Sequence, residues 1–351
     1  MIKTINYISF GKYETGGYKH ELFFAEQLCK YLNKENSDIQ LNIIRKNKFY
    51  TNPFQYIKLF LLGLKANGNY NIVVARVALF ALLRNAFTQN KVYIVLHNFD
   101  KSDGKSFWLK WYYNYLFWVL KNTTNKKVSI VAVAPFWVNY FKNKINNNIP
   151  VHLFPNFFDG EFYEKFFQNY SFVEQKNSQF ERSREQSYSV STTLDMTSSK
   201  KKQIHLGQWS FKNHPDVFEV AEQLTSKGYY CYFSTNFKDF AKKTNDYEVV
   251  YFEQFDNYLT QMALSEFTLA LTGINEGWNR VVHESILVGT PVIAYAKAGL
   301  LDLVNESKSI SVNNINEVLQ VIENKNVHVN PSLLAHYDIK NVYDFLNKML
   351  I

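Results

Sequence analysis

The chain has 351 residues, an apolar fraction of 46% and a formal net charge of +8. The apolar fraction is ample for packed cores, which excludes a globally disordered protein, and the length favours two domains of ordinary size. The basic charge suits nucleic acid, an anionic membrane face or an anionic substrate as a partner. No run of about eighteen apolar residues occurs, so the sequence predicts no membrane-spanning helix.

The two cysteines, Cys29 and Cys231, are far apart in the sequence, and each lies within an apolar pattern. We expect buried free thiols and no disulfide. Cysteines of this kind are typical of a reducing compartment, so the sequence predicts a cytoplasmic protein.

The first half of the chain alternates short β-branched or aromatic runs with longer helical patterns. The predicted strands are 5–10, 39–44, 72–75, 92–96, 129–134 and 151–154. The predicted helices include 20–32, 55–66 and 107–120. This alternation is typical of a parallel sheet wound by crossover helices.

The predicted helix 107–120 is unusually aromatic. One face at helical spacing would cover the sheet, and its members are Trp108, Trp111, Tyr112, Tyr115 and Val119. The alternative is that residues off this face dock on a membrane surface carrying a lipid-linked acceptor; they are Phe107, Trp118, Lys105, Lys110 and Lys121.

After an interruption at 160–202, the second half repeats the same rhythm. Its predicted strands are 203–206, 229–233, 249–252, 268–271, 292–294 and 309–312, and its predicted helices are 215–226, 259–263, 280–288 and 316–323. The polar part of the interruption, 174–202, is expected to be an exposed loop or insertion. The whole pattern predicts an α/β protein of two doubly wound, Rossmann-like domains facing each other across a cleft, with ligands at the carboxyl ends of the strands.

Two glutamates eight positions apart, Glu276 and Glu284, lie in the segment 273–295, which has the sequence GINEGWNRVVHESILVGTPVIAY. A helix beginning near Trp278 or Asn279 would aim backbone N–H groups at an anion, with one glutamate at its mouth and the other about one and a half turns into it. An anion-binding site flanked by two carboxylates suits a nucleotide sugar, because the amides can bind the phosphates and the carboxylates can accept from the hydroxyls of the sugar and the ribose. An ordinary amphipathic helix with one glutamate on its buried side remains the alternative.

The string EGWN, followed by Glu284 and GTPVIA, resembles the E-x7-E signature of the retaining glycosyltransferases of family four, which have the GT-B fold. The resemblance implies an acceptor-binding domain at 1–155, a nucleotide-sugar domain at 156–332 and a helix within 333–351 that returns to the first domain. It also implies transfer of a sugar from a UDP- or GDP-sugar to a hydroxyl of a saccharide or lipid-linked saccharide, with retention of configuration, as in polysaccharide biosynthesis.

The same resemblance assigns roles to individual residues. Glu276, His97 and Lys212 are the implied catalytic group, and Gly16 and Gly17 form the implied acceptor or phosphate loop. The implied donor-binding residues are Glu284, Gly277, Trp278, Asn279, Arg280, Gly273 and Gly207.

Two segments depart from the family pattern. The loop after the strand 203–206 matches the family's lysine at Lys212 but has Gln208 and Trp209 near the arginine position, so Arg280 is expected to replace the missing cation. The segment PNFFD at 155–159 resembles the hinge between the domains, with Phe157 in place of the usual glycine.

No metal or cofactor motif is present. The sequence has no Asp-x-Asp motif and no zinc spacing, and Asp100 and Asp103 are expected to be surface residues. Neither a Walker loop nor a dinucleotide fingerprint occurs. We therefore expect a nucleotide-sugar co-substrate without a divalent metal, no nucleic-acid partner, and a cytoplasmic protein that can be peripheral at the inner face of the membrane. A sugar-nucleotide epimerase of the same fold and a non-catalytic nucleotide-sugar-binding subunit are the alternatives.

Overall fold

A computed structural model describes residues 3–10, 16–34, 38–46, 54–88, 90–97, 107–125, 127–168, 202–324, 327 and 329–350. The chain divides into two compact units. Unit 1 comprises Met1–Phe157, Ile274–Trp278 and Lys340–Ile351, and unit 2 comprises Phe158–Gly273 and Asn279–Ile339. The division at 157/158 lies near the predicted 155/156, but 333–339 belong to unit 2 and a short segment around Glu276 belongs to unit 1.

Unit 1 is built on a six-stranded parallel sheet. Its strands are β1 (Lys3–Phe10), β2 (Ile39–Lys46), β3 (Tyr70–Val74), β4 (Lys91–Leu96), β5 (Val128–Ala132) and β6 (Val151–Leu153). The spatial order is β2-β1-β3-β4-β5-β6, and every neighbouring pair is parallel. β5 is buried along its whole length, as expected for a strand covered by helices on both faces.

In the part of unit 1 that the structure describes, five helices connect these strands. They are α1 (Gly16–Lys34), α2 (Phe54–Gly63), α3 (Ala75–Thr88), α4 (Phe107–Asn122) and α5 (Pro135–Lys142). Because parallel crossovers are right-handed, the strand order places α1 on one face of the sheet and α2 to α5 on the other. The sequence did not predict α3, which begins directly after β3 without a turn, or the short α5.

The buried face of α4 differs from the predicted one. Tyr112, Leu116 and Leu120 are buried at intervals of four residues, whereas Trp111 and Tyr115 are 54% and 42% exposed. The Tyr112 hydroxyl accepts from the N–H of Leu79 at 3.1 Å and donates to the Ala75 carbonyl at 3.0 Å, which fixes α4 against the start of α3. The prediction that Trp111 and Tyr115 cover the sheet is therefore wrong.

Unit 2 has a seven-stranded sheet. Its strands are β7 (Gln203–Gln208), β8 (Tyr230–Thr235), β9 (Lys242–Lys243), β10 (Glu248–Tyr251), β11 (Phe267–Ala270), β12 (Val292–Ala294) and β13 (Ile310–Ser311). The order is β13-β12-β11-β7-β8-β10-β9, parallel except for β9. Its helices are α6 (160–168), α7 (Asp216–Ser226), α8 (Phe255–Ala263), α9 (Arg280–Leu287), α10 (Gly299–Glu306) and α11 (Ile315–Asn324).

The last helix, α12 (Val342–Leu350), packs on α1 in unit 1, where the rings of Tyr31 and Tyr343 lie 5.6 Å apart. Two doubly wound parallel sheets confirm the predicted fold class. The predicted polar loop 174–202 lies outside the described residues except for its last residue. Cys231 is buried as expected, whereas Cys29 is only partly buried. Within the described ranges, no helix has the length and apolar character needed to cross a membrane.

Candidate functional site

The site in unit 2 lies where the strand order reverses. The chain runs from β7 outward to β8 and β10, and then returns to the other side of β7 as β11. Doubly wound sheets bind ligands outside the carboxyl ends of their strands at such a point. The loops that follow β7 and β11 are therefore the parts of unit 2 that a ligand would meet.

Gly207 allows β7 and β11 to approach each other closely. Its φ is +82°, and a Cβ on this residue would lie 2.9 Å from the Leu269 carbonyl oxygen. The pairing of β7 with β8 shifts register between His205 and Gln208, so the strand bends at this glycine. A side chain here would be strained and would collide with backbone, so the geometry of the sheet alone requires glycine.

Hydrogen bonds join the two loops. The Lys212 carbonyl accepts from the Gly273 N–H at 2.9 Å and from the Thr272 hydroxyl at 3.3 Å, and Asn213 forms an antiparallel bridge with Thr272. The Ser210 N–H donates to the Asn213 side chain at 2.7 Å, which closes the first loop on itself. These contacts hold Lys212, the predicted phosphate-binding cation, at the carboxyl ends of two adjacent strands.

Gly273 has no structural requirement of the kind found at Gly207. An added Cβ would meet only the His214 ring at 3.7 Å and the Lys212 carbonyl at 3.9 Å, both ordinary contact distances. Gly273 is also not among the glycines with positive φ. Close approach of a ligand to the backbone is a reason for glycine that remains at this position.

The helix α9 begins where the sequence predicted. Asn279 is its N-cap, with extended backbone, and its side-chain oxygen accepts from the Val282 N–H at 3.1 Å. This hydrogen bond satisfies one of the amide donors of the first turn, while the dipole of the helix still presents its positive end here.

Glu284 contacts Arg280 and Tyr258 inside unit 2. One carboxylate oxygen pairs with the Arg280 guanidinium at 3.0 Å, and the other accepts from the Tyr258 hydroxyl at 3.0 Å. Burial, followed by the negative charge of Glu284, raises the pKa of Tyr258, so this hydroxyl stays protonated and donates. Arg280, expected to replace the missing loop arginine, is thus tied to Glu284, as the i,i+4 spacing favours.

In unit 1, a chain of side chains lies at the carboxyl end of β4. His97, the first residue after β4, has its Nε2 3.0 Å from one carboxylate oxygen of Glu21. The other oxygen accepts from the Tyr7 hydroxyl at 2.9 Å. Glu21 is 7% exposed, and its buried carboxylate is hydrogen-bonded through both oxygens. The carboxylate fixes the ring orientation and favours a proton on Nε2.

The start of α1 supplies part of this arrangement. Gly16 and Gly17 open the helix, which places His20 and Glu21 in its first two turns. The His20 ring is buried and donates from Nε2 to the Phe154 carbonyl at 2.8 Å. The rings of His20 and His97 meet edge to face at 5.1 Å. His20 and Glu21, two consecutive residues of α1, thus both contact the His97 ring.

The segment Ile274–Trp278 packs within unit 1 beside His97. The Trp137 indole donates to the Glu276 carbonyl at 3.0 Å, and a Cβ on Gly277 would lie 2.4 Å from the His97 carbonyl oxygen. Glu276 and Trp278 are 6% and 7% exposed. Gly277 is therefore needed for backbone packing against His97, the residue that follows β4. The packing thus places the backbone of Gly277, the residue after Glu276, against the backbone of His97.

The predicted site residues thus fall into two groups. Glu276, Gly277, Trp278, His97, Gly16 and Gly17 belong to unit 1, and Glu284, Asn279, Arg280, Gly273, Gly207 and Lys212 belong to unit 2. Sequence reasoning missed Glu21, Tyr7, Tyr258 and Trp137, because each acts through a contact distant in sequence. The position of Glu21, shortly after a Gly-Gly turn that follows the first strand, is the one local signal that could have pointed to it.

Asp100 and Asp103 lie outside the described residues. Within the described ranges, no group of three or more His, Cys, Asp or Glu side chains is arranged to hold a metal ion. Lys212, in the loop after β7, and the amino-terminal end of α9 are two positive groups of unit 2 that could meet a phosphate.

No family model and no curated protein sequence matches the chain. Solved structures do match along its whole length. The HepE protein of Anabaena in complex with UDP and glucose is 12% identical, with a TM-score of 0.65 and 99% of each chain covered. Sucrose-phosphate synthase from Thermosynechococcus elongatus is 10% identical, with a TM-score of 0.67, covering 99% of this chain and 98% of its own.

The chain is also similar to the UDP-GlcNAc 2-epimerase from Neisseria meningitidis bound to UDP-GlcNAc, at 12% identity and a TM-score of 0.56, with 99% of each chain covered. At these identities the likeness concerns the fold, and it agrees with the two parallel sheets described above in confirming the GT-B fold.

Proposed function

We propose that the protein is a glycosyltransferase that moves a sugar from a nucleotide-diphosphate sugar to a hydroxyl acceptor, with retention of configuration. The observation that carries the proposal is the joined pair of loops at the reversal point of unit 2, where Lys212 stands beside a glycine, Gly273, that no protein contact requires. The similarity of the fold to HepE in complex with UDP-glucose supports this choice of ligand.

In this proposal Lys212, the start of α9 and backbone amides bind the diphosphate and stabilise the negative charge that develops on the departing nucleotide. No divalent metal takes part. Glu284 receives the ribose hydroxyls. The contacts with Arg280 and Tyr258 fix the carboxylate in place for this role.

Glu276 and His97 act on the donor sugar. Glu276 accepts from sugar hydroxyls, and its backbone is held by Trp137. His97, oriented through Glu21, keeps a lone pair on Nδ1 when Nε2 carries the proton, and this nitrogen can accept from a sugar hydroxyl. Gly16 and Gly17 open the helix on which this arrangement depends and would border the acceptor.

The proposed acceptor is a saccharide or lipid-linked saccharide, as in the building of a cell-surface polysaccharide by a cytoplasmic enzyme. A peripheral contact with the inner face of the membrane would bring the protein to a lipid-linked acceptor. Nucleic acid is not a proposed partner.

A sugar-nucleotide epimerase is the second candidate, because two UDP-GlcNAc 2-epimerases are similar to the chain over 99% of its length. An epimerase converts its donor without any acceptor. The protein is incubated with each nucleotide sugar alone, and the sugar part of the product, free or still attached to the nucleotide, is then identified. A new epimer in the absence of acceptor would favour the epimerase.

Donor binding is tested first by thermal shift with UDP, GDP, ADP and CMP and their sugar conjugates, with and without EDTA. We expect one nucleotide to raise the melting temperature of the wild type and of Lys238→Ala, an exposed lysine of unit 2, but to raise that of Lys212→Ala much less. EDTA should leave the shift unchanged. Equal shifts for both variants would remove Lys212 from the site.

Turnover with the identified donor then tests Glu276. We expect Glu276→Ala to lose on the order of 10²-fold in turnover, as for a contact made in the transition state, while the unconjugated nucleotide still shifts its melting temperature. Glu222→Ala, at an exposed glutamate of α7, serves as the control. Near-wild-type transfer by Glu276→Ala would contradict its role, and stabilisation by no nucleotide at all would favour a non-catalytic or partner-dependent protein.

A further inference from the structure

Acidic residues are almost absent from one long part of unit 1. Residues 39–157 contain sixteen Lys and Arg but only two acidic residues, Asp100 and Asp103, which gives this stretch a formal charge of +14 against +8 for the whole chain. The remainder of the chain is therefore acidic on balance. Such a concentration of one sign of charge creates a positive potential on one part of the molecule.

The helix α2 carries a second apolar stripe that faces solvent. Ile57, Phe60 and Leu61 of α2 are 58%, 38% and 55% exposed, and Leu64, directly after the helix, is 37% exposed, while Leu59 is buried. A helix that only covers a sheet has a polar outer face. The outer side of α2 is apolar as well, which is not expected of a helix face that meets only water.

The neighbouring helices continue this apolar surface. Phe87 in α3 is 85% exposed, and Trp111 and Trp118 in α4 are 54% and 59% exposed. The Tyr115 ring lies between the two tryptophans at centroid distances of 5.7 and 5.6 Å, with interplanar angles of 6° and 12°. Exposed indole and phenol rings with polar tips are typical of side chains that sit at the boundary between water and lipid.

The three helices lie side by side. The ring of Phe80 in α3 contacts Phe60 of α2 at 5.6 Å and Tyr112 of α4 at 6.3 Å. Exposed lysines accompany the apolar side chains; they are Lys58, Lys65, Lys110 and Lys121. None of the three helices contains an acidic residue. Exposed apolar side chains and positive charge therefore lie on the same layer of helices in unit 1.

We propose that the outer face of α2, α3 and α4 is a docking surface for a lipid bilayer that contains anionic lipids. The apolar stripe of α2 and the rings of α4 enter the boundary between headgroups and acyl chains, and the lysines bind the headgroups. Each basic residue near such a surface adds electrostatic attraction, which acidic neighbours would cancel. The absence of acidic residues from the three helices favours an anionic bilayer over a protein or neutral glycan as the occupant.

Vesicle cosedimentation tests this surface without any nucleotide. We expect the wild-type protein to bind vesicles of phosphatidylcholine with about 30% phosphatidylglycerol, to bind pure phosphatidylcholine at least tenfold more weakly, and to dissociate as salt is raised. The double variant Trp111→Ser/Trp118→Ser should bind the mixed vesicles about tenfold more weakly. Phe240→Ser, which removes a 49% exposed aromatic side chain from unit 2, should bind as the wild type does.

Unchanged binding by the double variant, or no binding by the wild type, would overturn the proposal. If size-exclusion chromatography shows a dimer that the double variant dissociates, a second copy covers the face and the proposal is equally wrong. Nucleotide-induced thermal shifts of the same variants report whether they fold and whether the donor site is intact. Failure of membrane docking is thus distinguished from failure of the proposed transferase function.

Discussion

At the scale of single residues, the carboxylate of Glu21 determines how His97 is presented. Both of its oxygens are used inside unit 1, one by His97 and one by the Tyr7 hydroxyl. Burial and then the charge of Glu21 raise the pKa of Tyr7, so the phenol remains a donor. In the proposed transferase, Glu21 acts on the substrate through His97, which makes it a positioning residue.

Replacement of Glu21 by glutamine should lower kcat about tenfold or more, because the amide keeps the shape of the side chain but loses the charge that orients the imidazole. KM for the donor and the melting temperature should change little. Tyr7→Phe, which leaves Glu21 its contact with His97, should have a smaller effect on kcat. A parallel loss of kcat and melting temperature in Glu21→Gln would indicate a purely structural role.

At the scale of elements, glycine stands at the carboxyl ends of two neighbouring strands for two different physical reasons. Gly207 combines positive φ with a carbonyl 2.9 Å from the position of a Cβ, so the junction of β7 and β11 needs it. Gly273, in the loop after β11, has neither constraint. A substitution at Gly207 should therefore lower stability, whereas a substitution at Gly273 should weaken ligand binding.

Gly207→Ala should destabilise unit 2 by about 1–3 kcal/mol, because it adds both backbone strain and a collision. Gly289→Ala, at a similar φ of +80° but with nothing within 4 Å, is the matched control and should cost less. Gly273→Ala should unfold like the wild type yet bind nucleotide more weakly. Urea unfolding and nucleotide thermal shifts measure both, and unchanged nucleotide binding by Gly273→Ala would contradict our account of that loop.

At the scale of the whole molecule, buried neutral histidines make stability depend on pH. His205 lies within the sheet of unit 2, 0% exposed, with its ring nitrogens 3.3 Å from the Thr268 hydroxyl and 3.1 Å from the Ser234 hydroxyl. Burial lowers its pKa to about 3, and burial followed by the charge of Arg280 lowers the pKa of His283 to about 3.

The unfolded chain binds protons at these histidines below pH 6.5, and the folded chain does not. Their contribution to stability is complete above pH 6.5 and is lost as the pH falls towards 3. At pH 5 each histidine should cost about 2 kcal/mol. Urea unfolding at pH 7 and pH 5 should show this loss of stability. His205→Gln should make the loss smaller by about 2 kcal/mol, the contribution of one histidine. An identical loss in the variant would contradict the assignment.

Much of the fold was predictable because its signals are local. Alternating apolar runs and helical patterns predicted the two sheets, and α9 begins at Arg280, the first residue of the predicted helix 280–288. The helix α3 was missed because it follows β3 with no turn residues. Trp111 was predicted to be buried because an aromatic face resembles a core face when the neighbouring helices are unknown. The contact of Glu21 with His97 spans 76 positions, which no local pattern reveals.

The five residues Ile274–Trp278 belong to unit 1, while the chain on either side of them belongs to unit 2. Neither unit can therefore be cut out of the gene as one continuous piece. A chimera that took residues 158–339 from a related protein would also import these five residues. They would have to accept the indole of Trp137 and lie against the His97 carbonyl of the recipient. Compatibility between the exchanged parts should depend on this short segment more than on the boundary at 157/158.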